Sequence, residues 1–254
     1  MVSRGIGQVQ RGRKKRARTV ALQVQGIGVP VEVRQHAAAR RLTLRVSKTR
    51  RAVVVTVPSG CRIEEADRFL RSHIEWVRDR LGCVPAPVPF ADGATVPLRG
   101  SPHRIRCIGP VQGACVVQVD RPEHGTPRLL VAGRVEHAAR RLKDWLIAEA
   151  HKDLDDRVAW HARKLGVRVK RISLRDQTTR WGSCSASGLL SFSWRLVLAP
   201  AFVLDYVAAH EVAHLREMNH GPRFWKLVAG AVPRLDEARH WLRNEGSDLH
   251  RYAP

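Results

Sequence analysis

Long apolar runs are missing from this 254-residue chain: no stretch approaches the ~18–20 consecutive apolar residues that a membrane-spanning helix requires. The N-terminus MVSRGIGQVQRGRKKRARTV is basic but lacks the apolar segment of a secretory signal, so an unsecreted protein with no membrane partner is expected. Cysteine is scarce as well. Cys61, Cys83, Cys107, Cys115 and Cys184 are odd in number, widely spaced and never form a C-x-x-C pair, which argues against a zinc ribbon or dithiol redox centre. They fit reduced thiols in a cytoplasm, where their simplest role is as small apolar side chains in a core. No repeat with a period of 20 to 50 residues is visible, so a solenoid or propeller is not supported.

Acidic residues are also few, 23 against 45 Lys and Arg, giving a net charge of +22. The imbalance is front-loaded: residues 1–51 hold fourteen of the cations and the single acid Glu32. A cluster such as Arg11, Arg13, Lys14, Lys15, Arg16 and Arg18 can attract nucleic acid or acidic headgroups through counterion release. The plainer reading is a solvated, disordered tail, and the dominance of Arg over Lys is in keeping with codon bias. A hydrophobic content of 44% and this length suffice for a real core, in one large domain or two small ones.

Beyond residue 19, β-branched and alternating runs dominate at 20–25, 29–33, 42–46 and 52–57, and read as a small antiparallel sheet. Residues 62–82 switch to helical spacing, with Ile63, Ala66, Phe69, Leu70, Ile74, Trp76, Val77 and Leu81 as an apolar stripe. The proline-rich CVPAPVPFADG reads as a linker or crossing loop, followed by short strands near 94–98, 103–108, 115–119 and 128–132. A long helix is expected from Val135 to about Leu165, ending at Gly166. Strands at 168–174 and 189–198 then flank the loop RDQTTRWGSCSASG, and AFVLDYVAAHEVAHLREM, free of Gly and Pro, is helical. The expected fold is α+β in three parts: a basic tail at 1–19, a β-rich region at 20–133 with one helix, and a catalytic half at 134–254.

That last helix carries His210-Glu211-Val212-Ala213-His214. Residues four apart share a helical face, so His210 and His214 can aim two imidazole nitrogens at one metal, while Glu211 is rotated about 100° away, near enough to address water there. In a shuffled chain of this composition the H-E-x-x-H pattern arises only about 0.02 times. The third ligand is either Glu217, one turn on along a continued helix, or His220. Asn219, Gly221 and Pro222 continue a helix poorly, so a turn after about Met218 favours the return of His220, which completes a three-histidine set. Glu217 is then a supporting or exposed residue. Three protein ligands leave a position for water, as in catalytic rather than structural zinc, and Glu211 can take a proton from that water and return it to a leaving amine.

The run RWGSCS, then SFSWRLVLAP, then LDYVAAHEVAHLREMNHGPRFWKLV closely resembles the YgjP-like metallopeptidase domain, a zincin group. RRLTLRVS, VTVPSG, HIEWVRDRL and PFADGATVPLRG extend a weaker likeness toward the N-terminus. The resemblance implies one catalytic Zn2+ held by His210, His214 and His220, with Glu211 as the catalytic carboxylate acting on a peptide or protein substrate. Gly221 departs from the small hydroxyl residue expected there. Glu217 replaces the turn glycine of metzincins and no Met-turn follows, so that clan is not assigned.

Other residues carry smaller readings. Arg180, Trp181, Gly182, Ser183 and Cys184 form a loop that the resemblance makes a hallmark, either edging the cleft or turning around Trp181. Cys184 as a fourth ligand would close the open position. Tyr206, one turn before His210, is either an oxyanion donor or a core residue; Phe224 and Trp225 pack the next helix; His151, His161, His240 and His250 are expected to be solvated. Two alternatives stand beside the peptidase: a SprT-like protease tied to nucleic acid by the basic tail, and a binding module in which the histidines are only a structural clip.

Overall fold

The structure, a computed structural model, describes residues 19–22, 24, 26–111 and 115–253. The chain divides into two units, Met1–Val84 and Pro85–Pro254. The boundary falls inside the proline-rich segment, not after residue 133. The basic tail lies outside the described residues except for Thr19, which opens the first strand.

The first unit holds strands β1 (Thr19–Leu22), β2 (Val31–Gln35), β3 (Thr43–Ser47) and β4 (Ala52–Val57), then helices α1 (Ile63–Arg71) and α2 (Ile74–Gly82). Strand order is β1-β2-β4-β3, and β2 runs parallel to β4, so the expected antiparallel sheet is mixed. Alternation along a strand says which residues face inward but not which neighbour it pairs with or in which direction. Val53, Val55 and Val57 meet Ala66, Leu70 and Val77 in a separate core. The single helix expected over 62–82 is broken. Ser72 Oγ donates to the Phe69 carbonyl at 2.9 Å and His73 Nδ1 lies 2.9 Å from the same oxygen, diverting it from the helical ladder. Ile63 and Trp76 face solvent, outside the expected stripe.

The second unit is built along one helix. β5 (Val88–Pro89), β6 (Thr95–Leu98), β7 (Ser101–Cys107), β8 (Val117–Asp120) and β9 (Arg128–Val131) precede α3 (Ala138–Leu165). There follow β10 (Arg171–Arg175), β11 (Gly182–Cys184), β12 (Leu189–Ser193), α4 (Ala201–Ala213), α5 (Pro222–Ala231), α6 (Leu235–Asn244) and β13 (Tyr252–Ala253). α3, about 42 Å long at 1.5 Å per residue, buries Ala138, Leu142, Leu146, Ala150, Leu154 and Val158, a stripe of every fourth residue. Its first half packs on Val96, Leu98, Ile105, Leu129 and Val131 of the sheet β6-β7-β9-β8; its second half packs on Leu190, Phe192, Leu204 and Val212. This explains the boundary: a division after 133 would strip the first half of α3 of its apolar partner. Gly166 ends the helix in the left-handed conformation, φ 62°.

Candidate metal centre

Two devices hold α4 in place. Arg99 and Gly100, both at positive φ, form a two-residue hairpin tip between β6 and β7. Their amides donate to Val197 and Leu198 at 2.7 and 3.1 Å, in the turn that leads into α4. A Cβ at Gly100 would lie 2.9 Å from Pro200 Cα, so only glycine allows this approach. The Arg99 guanidinium donates to Asp153 and Glu149 of α3 at 2.6–2.7 Å, tying tip to helix. Further along, Asp205 of α4 accepts hydrogen bonds from Arg157 (2.7 Å) and His161 (2.6 Å) of α3. His161 is wholly buried, correcting the expectation that it is solvated. Burial alone would raise the Asp205 carboxyl, but the bonds from His161 and Arg157 outweigh it and hold it below the ordinary range.

α4 is apolar on nearly every side, with Val203, Val207, Ala208, Ala209, Val212 and Ala213 buried, as befits a helix in the middle of a fold. It ends at Ala213, earlier than the 18-residue helix expected. The amides of Arg216 and Glu217 both reach back to the Ala213 carbonyl at 3.0 Å, turning the chain. Gly221 and Pro222 then start α5, and His220 is carried back toward α4. The three side chains offer nitrogens that all lie within 4.8 Å of one another, and Nε2 of His210 and His220 are 3.1 Å apart. Glu217 takes part through its backbone: His214 Nδ1 lies 3.2 Å from its carbonyl, so this nitrogen donates and Nε2 keeps its lone pair.

This arrangement fits a tetrahedral cation. Ligands at ~2.0–2.1 Å from such an ion stand about 3.3 Å apart, near the His210–His220 separation. Burial, with His214, His220 and Arg239 adding to it, pushes His210 down to about 4, and burial also lowers His214. Imidazoles whose ring nitrogens gather around a common point in this way are metal ligands in form. Among the described residues the group contains three histidines and no cysteine. The Cys184 thiol is pushed up to about 11 by burial and by Glu211, donates to the Ser185 carbonyl, and is not a member of the histidine group.

Glu211 is 5% exposed and has no hydrogen-bond or ion-pair partner among the described residues. Burial pushes its carboxyl up to about 7, with Arg180 opposing. A carboxyl poised there both takes and returns a proton near neutral pH. It presses on Gly182 of β11, where a Cβ would come within 2.5 Å of Oε1 and 2.6 Å of Cγ. Glycine at that position lets the strand lie directly against the carboxyl.

The surroundings contain residues whose part is not readable from spacing. Phe224 is fully buried, with its ring centroid 4.9, 4.6 and 4.7 Å from those of His210, His214 and His220, and so forms the floor beneath all three. Trp225 stacks on His220 at 5.8 Å, and Arg239 lies over Trp225 at 4.6 Å. Tyr206 is buried, 5.8 Å from His210 ring to ring. His250 is half-buried against Trp181 at 5.3 Å, also contrary to the solvated expectation, and burial with Arg195 pushes it down to about 4. His151 and His240 are exposed, as expected.

The family described as YgjP-like, metallopeptidase domain, matches residues 40–245. No curated protein and no solved structure matches the chain.

Proposed function

We propose, from the premise that this chain belongs to the YgjP-like metallopeptidase domain family, that it is a zinc-dependent peptidase of the cytoplasm. Membership makes it a metal-dependent hydrolase of peptidase type; the ion, the roles of single residues and the compartment are our reading. One observation carries it: three imidazole nitrogens within 4.8 Å of one another, with Glu211 lining the same cavity as His210. His210, His214 and His220 would hold the ion, and three imidazole nitrogens without a thiolate are the donor set of catalytic zinc. When bound, zinc supplies Lewis acidity that polarises a carbonyl and acidifies water.

The rest is the work of the chain. The Glu211 carboxylate takes the proton of the attacking water and, now protonated, returns it to the nitrogen of the departing amine, leaving a carboxylic acid and an amine as products. Gly182 lets Glu211 approach, and Phe224 fixes the planes of the imidazoles. The five cysteines are free thiols, in keeping with a reducing compartment, and no helix among the described residues is long and apolar enough to cross a membrane.

The test measures bound zinc and hydrolysis of an unstructured protein by the native chain and by Glu211→Gln. The expected result is about one zinc per chain in both, with hydrolysis lost by roughly 10²–10⁴-fold in the variant. Equal hydrolysis by both forms, or none by a zinc-loaded native chain, would overturn the assignment. In the latter case a structural clip explains the histidines.

A further inference from the structure

We infer that the cavity beside His210 and Glu211 is a subsite for one apolar side chain of the substrate, adjoining the bond that is cut, with Leu242 setting the size it accepts. The inference rests on the peptidase reading above. The cavity measures about 220 Å³. This is smaller than the ~300–1,000 Å³ of sites that enclose a whole small molecule, and suits a single side chain.

One wall is the reactive one, formed by His210 and Glu211 with Gly182 against it; the others are Trp181, Tyr206, Val207 and Leu242. Glu211 is the one acidic side chain in the lining, and no Lys, Arg or Asp lines it. Arg180 and Arg239 do not line the cavity, so charge recognition is left to its outside. A side chain entering here exchanges water for aromatic and aliphatic surface, which favours Leu or Phe over Gly, Lys or Asp.

The walls differ in how firmly they are set. Trp181 is backed by His250 on one side and by Gly246 on another, where a Cβ would lie 3.3 Å from the indole. Tyr206 and Val207 belong to the buried helix α4. Leu242 is the one lining residue contributed by α6 and is partly buried, which makes it the wall to which the inference gives control of size.

The experiment uses the zinc-loaded full chain and peptides identical except for Gly, Ala, Leu, Phe, Lys or Asp on either side of the cleaved bond. At one of the two positions kcat/KM for Leu or Phe should exceed that for Gly by roughly 10–200-fold, with Lys and Asp no better than Gly. Leu242→Trp should collapse the Leu-to-Gly ratio at that position by about tenfold or more, and Leu242→Ala should shift the preference from Leu toward Phe. Binding of the same peptides to Glu211→Gln, which does not turn over, should follow the same order. Because the native chain and Glu211→Gln supply the ranking, a Leu242 variant that fails to fold does not spare the inference. Cleavage with ratios under about threefold at both positions would overturn the subsite and leave the peptidase standing. No cleavage of any peptide by the zinc-loaded chain would overturn the peptidase reading and the subsite with it.

Discussion

Two carboxyls lie six residues apart on α4 and are treated in opposite ways. Asp205 accepts hydrogen bonds from Arg157 and His161, and its pKa is held down; Glu211 has burial without a partner, and its pKa rises to about 7. Asp205 joins α4 to α3, so its bonding capacity is spent on holding the fold together. The bonding capacity of Glu211 is left unspent and faces a cavity. A buried polar group that the protein satisfies is structural, and one that it leaves unsatisfied beside a cavity is available for chemistry.

The sharpest way to break that contrast is at Gly182. Gly182→Ala places a methyl group where the Glu211 carboxyl now lies, so the carboxyl or β11 must shift. Displacement on the order of 1 Å costs about 10²-fold in a positioned reaction, so kcat/KM should fall by that order while bound zinc stays near one per chain. Unchanged hydrolysis would show that the position of Glu211 is not what the reaction depends on.

The structural carboxyl should respond in the other currency. Asp205→Ala leaves His161 buried and Arg157 unpaired, and should cost about 2–3 kcal/mol of stability, toward the low end for a broken buried pair because Arg157 is partly exposed. Thermal or urea unfolding reads the loss. A change below about 0.5 kcal/mol, the range of an ordinary surface substitution, would contradict the role given to Asp205.

Acid separates the two kinds of group more gently. His250 is neutral in the fold, with a pKa of about 4 against the ordinary 6.5. The unfolded chain takes up the proton first, so the stability that His250 contributes is complete above about 6.5 and drains away as the pH falls toward 4. The full shift corresponds to about 3 kcal/mol, and solvent screening of a half-buried ring reduces this to roughly 1–2 kcal/mol. His250→Phe should flatten that window in a stability-against-pH series; an identical slope would refute the assignment. Asp205, its pKa depressed, behaves alike in sign but lower in pH: its contribution is present above the ordinary carboxyl value of 3.8 and fails only below it.

What could be read from the sequence alone was local. The spacing of His210 and His214 is a property of one helical turn, and Asn219, Gly221 and Pro222 announce the bend that returns His220. The α3 stripe and its end at Gly166 follow from periodicity and a left-handed cap. What could not be read joins distant positions. Gly182 meets Glu211 across 29 residues and His161 meets Asp205 across 44, and nothing near either histidine or glycine in the chain marks the partner. The parallel pairings of β2 with β4 and β7 with β9 were hidden for the same reason, because alternation is blind to the neighbour. The break between α1 and α2 was local but rests on the side chains of Ser72 and His73 at the Phe69 carbonyl, which apolar spacing does not register.

The most direct test of the central claim is anomalous diffraction at the zinc edge from crystals of the zinc-loaded full chain. The account predicts one peak in contact with nitrogens of His210, His214 and His220, at ~2.0–2.1 Å from each, and no fourth protein atom in the coordination sphere. A peak elsewhere, or one at this site closed by a fourth side chain, would contradict it.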